Sequence, residues 1–341
     1  MQQHRRITIK DLARAANCSE STVSKALNGR ADVSPATKER ILRLAREFNY
    51  FPHASGRSLR RQVTENVGVI FFRESQPLSG NPFYSRVLEG IEAELALQGY
   101  NLVLHLAQEN ESVPKFAREL QVDGFILVGA IGEAFLQVLQ QIELPKVFVD
   151  PKSLVPEARQ VLIDNERGAF LATQHLIQNG HRRIGFISGD LERLSFRQRF
   201  EGYRKALAHY GIPLDEELVQ AGGLEKGYEH VRRLLQLDHP PTAIFSGNDI
   251  NAIYGYKAVR DAGLDIPQDV SFVGFDDIEL SRLTVPPLTT VRVYKEELGS
   301  IAVRQLIAAI REEKQRPETV IVPTRLVERE SVRRLSADGK A

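Results

Sequence analysis

Polar side chains suited to contact with nucleic-acid bases lie close together near the start of the chain: Ser19, Glu20, Ser21, Thr22 and Lys25. A lysine donates to guanine acceptors, a serine pairs with either type of base, and a glutamate near DNA must accept from a cytosine amine or point away. Ser21 and Lys25 are four residues apart, so on a helix they share a face. The alternative for both is contact with phosphates alone, which positions a protein without reading sequence.

Two short helices joined by a tight turn are predicted to position these side chains. Thr8 can cap a helix that runs to about Ala16, and Ser19 can cap a second helix that runs to about Asn28. A third helix is predicted to begin at Ser34-Pro35, with proline at its first position. The apolar residues of the third helix have helical spacing, so the three helices can share one small core: Ile41, Leu44, Ala45 and Phe48.

The charge of the chain is unevenly distributed. Residues 1–62 contain 13 Lys+Arg and 5 Asp+Glu, whereas the remaining residues contain 32 and 39. The net charge of +1 therefore hides a basic head and a mildly acidic body. This asymmetry favours a polyanionic partner for the head alone, although a solvated basic surface would give the same count.

Composition restricts the remaining classes. Cys18 is the only cysteine, which excludes an intrachain disulfide and a metal cluster built on cysteines, and we expect no metal and no cofactor. Met1–Arg6 is polar and leads into a charged helix rather than an apolar signal segment. No apolar run approaches the roughly 20 residues that span a bilayer. We therefore expect a cytoplasmic protein without a membrane partner.

From Asn66 onward, strands alternate with helices, which indicates parallel sheets covered by helices and an α/β fold. The predicted strands are Val67–Phe72, Leu102–Leu106, Gly124–Val128, Lys146–Val149, Arg183–Ser188, Ala243–Ser246 and Ser271–Phe275. The predicted helices lie near 83–98, 112–120, 133–141, 165–179, 195–210, 225–237, 248–262 and 295–313. A break near Val161–Asn165 suggests two α/β lobes, and short strands near 319–329 follow the last helix.

Catalysis is not expected. Asp276-Asp277 is the best carboxylate pair, but adjacent residues on a strand point to opposite faces. A triad of Asp276 with His175 or His181 lacks a Gly-x-Ser-x-Gly elbow. The sequence also lacks Gly-x-Gly-x-x-Gly, a Gly-Lys-Ser/Thr loop and His-Glu-x-x-His.

The head and body together resemble the lactose-repressor/galactose-repressor family of bacterial transcription factors, from about Ile7 to Arg329. The resemblance in the head is carried by Thr22-Val23-Ser24-Lys25-Ala26-Leu27-Asn28, Val33-Ser34-Pro35-Ala36-Thr37 and Leu44-Ala45-Arg46-Glu47-Phe48-Asn49-Tyr50-Phe51-Pro52. In the body it is carried by Asn81-Pro82-Phe83-Tyr84, Val122-Asp123-Gly124, Gly180-His181-Arg182-Arg183-Ile184, Arg199-Phe200-Glu201-Gly202-Tyr203, Gly247-Asn248-Asp249, Val273-Gly274-Phe275-Asp276-Asp277 and Pro287-Leu288-Thr289-Thr290-Val291. The resemblance implies a homodimer whose helix-turn-helix heads bind a pseudo-palindromic, double-stranded operator. It also implies a two-lobed body, similar to periplasmic sugar-binding proteins, with a small molecule in its cleft.

The resemblance assigns base contacts to Glu20, Ser21 and Lys25. Lysine stands where arginine is common in relatives, and it lacks the bidentate fork. Phosphate contacts or helix caps are the better expectation for Thr8, Ser19, Ser24 and Asn28. Thr22 and Ser34 are the remaining residues of the head that are expected to contact DNA.

Residues 52–63 are implied to form a hinge helix that folds on DNA, with contacts from His53, Ser55, Arg57 and Leu59. Leu59 would insert into the minor groove, which bends the duplex; packing against its dimer mate is the alternative. Gly56 replaces the usual alanine, which costs about 1 kcal/mol of helix propensity.

The cleft of an open α/β lobe lies at the carboxyl ends of its strands. The resemblance places Ser195, Arg199, Asn248 and Asp276 there, and Asp150 is a further candidate. Stacking faces are expected from Phe83, Tyr84 and Tyr294, although Phe83 and Tyr84 equally suit the core, Asn248-Asp249 suits a helix cap and Asp277 suits a structural role.

Two departures bear on the ligand, which we expect to be a sugar. Gly222 stands where many relatives have an aromatic residue, which argues mildly against a flat purine. The insertion Arg73–Gly80 resembles members that bind maltose or other oligosaccharides. A regulator gated by a phosphorylated carrier protein and a purine-responsive repressor are the alternatives.

The sequence thus predicts five segments. These are a DNA-binding domain over 1–51, a hinge over 52–63, a first lobe over 64–163 with 292–320, a second lobe over 164–291 with 321–334, and a tail over 335–341.

Overall fold

The structure is a computed structural model that describes residues 7–27, 32–48, 63–72, 78–108, 113–119, 121–223, 225–311 and 318–335. The chain divides into two compact units, residues 1–64 and 65–341. None of the helices in these ranges is both long and apolar enough to cross a bilayer.

The described residues of the first unit form three helices, α1 (Ile9–Ala15), α2 (Glu20–Leu27) and α3 (Pro35–Glu47). A capping box starts α1, because the Thr8 hydroxyl accepts from the Asp11 amide while the Asp11 carboxylate accepts from the Thr8 amide. Leu12, Val23 and Ile41, one from each helix, are fully buried together. Phe48, which helical spacing assigned to this core, is instead 38% exposed because it follows the last turn of α3.

The second unit contains two six-stranded sheets. Its strands are β1 (Asn66–Phe72), β2 (Asn101–Ala107), β3 (Gly124–Val128), β4 (Lys146–Val149), β5 (Arg159–Ile163), β6 (Ile184–Ser188), β7 (Val219–Ala221), β8 (Ala243–Ser246), β9 (Ser271–Asp276), β10 (Thr289–Val293), β11 (Thr319–Val322) and β12 (Thr324–Val327). The first sheet has the order β11-β5-β4-β3-β1-β2 and the second β12-β10-β9-β8-β6-β7. All neighbours are parallel except β10 and β12, so the α/β prediction is confirmed.

Helices follow most strands and cover the sheets. They are α4 (Pro82–Gln98), α5 (Lys115–Arg118), α6 (Glu133–Gln140), α7 (Asn165–Gln178), α8 (Leu194–His209), α9 (Gly227–Leu235), α10 (Asp249–Asp261) and α11 (Lys295–Ile310). The central parallel strands are buried, as in β3, where every residue is buried, whereas the edge strands β2, β7 and β11 are partly exposed.

Three strands were not predicted: β5, β7 and β10. β5 overlaps the predicted break between lobes near Val161–Asn165. Its strand structure depends on tertiary packing, since it lies between β4 and β11 and the Gln160 side chain bonds both backbone polar groups of Val155. The helix predicted over 112–120 extends only over Lys115–Arg118.

The chain passes between the two sheets three times. It passes first between β5 and β6, then through α11 between β10 and β11, and finally between β11 and β12. The predicted changes of lobe after residues 291 and 320 each fall inside a strand, two residues before its end. The strand positions instead separate a first lobe of 65–163 with α11 and β11 from a second lobe of 164–293 with β12.

Glycines bring α4 and α11 into close contact in the first lobe. A Cβ on Gly90 would overlap the carbonyl oxygen of Glu296, and a Cβ on Gly299 would overlap that of Val87. Neither backbone can give way without separating the helices, so both positions require glycine.

Gly90→Ala should lower the free energy of unfolding by about 1–3 kcal/mol, since it overpacks a close helix contact. Leu97→Ala on the same helix is the control, because Leu97 is 82% exposed. Urea titration followed by circular dichroism measures both. A Gly90→Ala midpoint as close to wild type as that of the control would contradict this packing.

Candidate functional site

Hydrogen bonds between residues three apart in the chain cap the N-termini of the helices in the head. The Ser19 hydroxyl accepts from the Thr22 amide at 3.1 Å and lies 2.8 Å from the Thr22 hydroxyl. Ser34 caps α3 in the same way, by accepting from the Thr37 amide. Together with the Thr8 box, these contacts agree with the expectation of caps at Thr8 and Ser19.

The side chains expected to read bases lie on the exposed part of α2. Glu20, Ser21 and Lys25 are exposed, whereas Thr22 and Ser24 are half-buried. The Lys25 ammonium lies 2.6 Å from the Asp32 carboxylate, but both side chains are about half exposed, so the pair contributes little to stability. The predicted contacts Asn28, His53, Ser55, Arg57 and Leu59 lie outside the described residues.

A cleft opens at the carboxyl ends of strands from both sheets of the second unit, with an empty volume of about 1040 Å³ that includes the part open to solvent. Seven of the eight expected contacts line it: Phe83, Tyr84, Asp150, Ser195, Arg199, Asn248 and Asp276. Tyr294 does not line the cleft. It immediately precedes α11 and packs against the hydrophobic core instead.

The buried guanidinium of Arg199 forms the floor of the cleft on the second lobe. Its Nε donates to Asn165 Oδ1 at 2.9 Å, and Nη1 donates to the carbonyl oxygen of Gly247 at 2.5 Å. Nη1 also lies 3.2 Å from Asp276 Oδ1. The guanidinium stacks 3.8 Å above the centre of the Phe275 ring. A charge that is 4% exposed is therefore compensated on every side.

Asp276 is the carboxylate best placed to bind a ligand. Its side chain is buried against Arg199, yet Oδ1 receives no aligned hydrogen bond among the described residues. Burial raises the pKa of this carboxyl to about 6, while Arg199 and Lys295 oppose the rise. Above that pH, Asp276 presents a charged acceptor to the cleft.

The first lobe supplies a second acid and several aromatic rings. The Tyr84 hydroxyl donates to Asp150 Oδ2 at 3.1 Å, and the Phe83 ring meets the Tyr84 ring edge to face. Both rings also pack against the core while lining the cleft, so their two expected roles are not exclusive.

Neighbours of the cleft residues have structural roles. Asn248 caps α10 by accepting from the Asn251 amide, so it is both a cap and a lining residue. Asp249 is fully buried and accepts from the Thr290 hydroxyl and the Ile278 amide. Burial raises the pKa of Asp249 to about 8, and the nearby Asp276 adds to the rise.

Asp277 also matches the structural expectation. Its carboxylate lies 2.6 Å from the guanidinium of Arg292 and 2.5 Å from that of Arg329. Asp277 does not line the cleft. His181 is likewise remote from it, because its ring is buried between Thr242 and the Arg333 carbonyl. The carboxylate pair and the triad considered from sequence therefore have no shared site.

Sequence reasoning missed several lining residues, among them Arg193, Phe196, Glu225, Ile250 and Ile278. Phe196 and Ile250 each lie within two residues of an expected contact, and that proximity was the available signal. Gly222 is not among the lining residues, as expected of a position without a side chain. Phe72 and Phe196 supply aromatic faces instead.

The chain is similar to known proteins over nearly its whole length. Residues 8–53 match the family described as bacterial regulatory proteins, lacI family, and residues 173–332 match a periplasmic binding protein-like domain. The HTH-type transcriptional repressor PurR of Mannheimia succiniciproducens is 32% identical over 96% of this chain and 99% of the relative. The ribose operon repressor of Haemophilus influenzae is 34% identical over 95% and 98%. A solved complex of the transcriptional regulator CelR with cellobiose is 31% identical, with a TM-score of 0.72, over 96% of this chain and all of that one.

Asp249→Asn should weaken the pH dependence of stability. The folded state raises the pKa of this carboxyl from 3.8 to about 8, so the folded chain binds more protons and wild-type stability falls as pH rises through that window. Asparagine mimics the neutral acid, since its carbonyl can accept from Ile278 and its amide can donate to Thr290.

Urea unfolding at intervals from pH 5 to 8 measures the effect, with the exposed Asp238→Asn as the control. A slope as steep in Asp249→Asn as in wild type would contradict a neutral Asp249 in the folded state. Asp276 contributes a slope of the same sign to all three proteins, so a slope should remain in Asp249→Asn and the test is whether it is shallower than in wild type.

Proposed function

Because the chain belongs to the LacI family of DNA-binding transcriptional repressors, we propose that it controls carbohydrate-utilisation genes in response to a neutral sugar bound in the cleft. The observation that carries the proposal is the Asp276 carboxylate, which lines the cleft and is held with Oδ1 3.2 Å from the buried Arg199 guanidinium. A hydroxyl group of a ligand can donate to this carboxylate, and charge-assisted bonds of this type are strong.

The other lining groups suit several hydroxyls on one small molecule. Asp150 accepts, Ser195 can donate or accept, and Asn248 offers an amide, while aromatic rings cover the apolar face of a pyranose or furanose. An empty volume of about 1040 Å³, part of it open to solvent, leaves space for a disaccharide. These features support the oligosaccharide expectation that came from the Arg73–Gly80 insertion, of which 73–77 lie outside the described residues.

The charges of the cleft favour a neutral ligand over an anionic one. Arg199 is already compensated by Asp276, and the remaining lining charges are Arg193, Asp150 and Glu225. A phosphate or carboxylate in the ligand would therefore be repelled by Asp150 and Glu225 and attracted only by Arg193. The aromatic faces also fit a purine, which makes nucleobase binding the principal competing outcome.

At the head, we propose that α2 enters the major groove, with Glu20, Ser21 and Lys25 reaching base edges. A homodimer would present two heads to a pseudo-palindromic operator. Exposed apolar side chains on the second lobe suit such an interface, because Leu283 is 71% and Val285 is 77% exposed.

Effector binding would act through the angle between the lobes. A ligand that contacts Tyr84 and Asp150 on one lobe and Arg199 and Asp276 on the other stabilises one angle at the expense of others. That angle would decide whether the two 52–63 segments fold together on DNA. Titration of operator binding with effector gives the sign of this coupling.

Isothermal titration with cellobiose, maltose, D-ribose and hypoxanthine tests the ligand class. We expect a sugar to bind, and Asp276→Asn to weaken its affinity by about ten- to a hundredfold, because a charged acceptor becomes a neutral amide. Affinity for wild type should also fall below about pH 6, where Asp276 is protonated. Asp238→Asn is the matched control. Binding of hypoxanthine alone, or of a carrier phosphoprotein in place of any sugar, would refute the proposal.

Lys25→Met tests base reading against phosphate contact. On a duplex selected by the protein from a random library, the variant should lose about 1–3 kcal/mol of binding free energy, with a smaller loss on a scrambled duplex. Equal losses on both duplexes, together with a shallower salt dependence, would reassign Lys25 to phosphate. Fluorescence anisotropy over a salt series measures both quantities.

A further inference from the structure

Lys295, at the start of α11, is a buried cation that the cleft does not expose. Its side chain is held by three backbone carbonyls, because Nζ donates to Asp276 at 2.5 Å and to Asp277 and Val293 at 3.2 Å each. The residue is only 6% exposed. A buried ammonium is costly unless its hydrogen-bonding groups are satisfied, and these carbonyls satisfy all three.

Two of these carbonyls belong to backbone in an unusual conformation. Asp276 has a φ of 112° and Asp277 a φ of 51°, both in the region that favours glycine. Such a conformation persists when surrounding contacts determine it, and it is common at ligand sites. Lys295 contacts the carbonyls of both residues, at the turn where β9 ends and the Asp276 carboxylate meets Arg199.

The same side chain connects the two lobes. Lys295 lies on α11, which packs in the first lobe against α4 through Gly90 and Gly299 and against β3 through Leu306 beside Gly124. Its three acceptors lie on β9, β10 and the turn after β9, all in the second lobe. A single ammonium therefore attaches a first-lobe helix to the backbone of the cleft carboxylate.

We infer that Lys295 is a positioning residue that holds the Asp276–Asp277 turn in its effector-binding conformation and makes that turn move with the first lobe. The role in effector binding rests on the proposed function, whereas the hold on the turn does not. Lys295 does not line the cleft, so it acts through Asp276 rather than on the ligand.

The charges facing Asp276 determine what loss of the ammonium should do. Arg199 from α8 and Lys295 from α11 favour the charged carboxylate, whereas burial and Asp150, after β4, disfavour it. Asp249 from α10 is a further acid nearby, and Asp276 raises its pKa, while Asp277 and Glu296 also act on the Lys295 ammonium. Without the ammonium, the pKa of Asp276 should rise further.

Hydrogen exchange of the full-length protein without ligand tests the hold on the turn. In Lys295→Met, peptides covering 274–283 should exchange at least about tenfold faster than in wild type, while peptides covering 124–128 and 243–246 stay unchanged. Lys257→Met is the matched control, because Lys257 is an exposed lysine that pairs with Asp261 on the second lobe, which also contains the 274–283 segment. Faster exchange throughout 65–335, or none at 274–283, would overturn the inference. Lys295→Gln, which keeps a donor, should fold and show an intermediate effect, and its failure to fold would likewise overturn it.

Titration with the sugar that binds wild type in the panel tests the role in effector binding. The pH at which affinity falls, near 6 in wild type, should move upward in Lys295→Met and remain in place in Lys257→Met. A merely structural lysine would lower stability and leave this midpoint unmoved. If no sugar binds wild type, the proposed function fails, while hydrogen exchange still decides whether Lys295 holds the turn.

Discussion

The buried guanidinium of Arg199 is the interaction on which the cleft depends. It donates hydrogen bonds to Asn165 at the start of α7 and to Gly247 in the loop after β8, and it forms an ion pair with Asp276 at the end of β9. The Phe275 ring covers one face of the same group. Three separate segments are thereby held at one edge of the second sheet. Each contact also offsets part of the cost of burying the charge. The same contacts therefore shape the binding site and stabilise this part of the fold.

The edge of the second sheet that Arg199 holds together lies beside the connections between the two lobes. Three chain passages connect the two sheets, and the cleft lies between the carboxyl ends of their strands. One passage leads from β10 into α11, and Lys295 at its start is bonded back to the turn beside Arg199. The Asp276 carboxylate in the cleft and the Lys295 ammonium at the connection between the lobes therefore lie on either side of the backbone of Asp276 and Asp277. For the effector coupling proposed above, that proximity would be a short physical route from ligand to lobe movement.

The head follows a simpler logic. Its three helices are too short to be stable alone, and they depend on caps at Thr8, Ser19 and Ser34 and on a small shared core. Thr8, Ser19 and Ser34 cap the helices, whereas Glu20, Ser21 and Lys25 are exposed on α2 and do not cap a helix.

The amino-acid sequence by itself determined the helix caps, the alternation of strands and helices, the basic head and seven of the residues that line the cleft, out of eight that were expected there. These are local signals or short motifs, and each can be recognised from residues that are close together in the sequence. Tertiary structure alone decided that Arg159–Ile163 is a strand, because its partners β4 and β11 lie far apart in the chain. It also decided that Tyr294 faces the core and that Lys295, a charged residue at the start of a helix, is buried. The physical reason is that acceptors for Lys295 come from two strands of the other lobe, and no local pattern can bring a cation and distant carbonyls together.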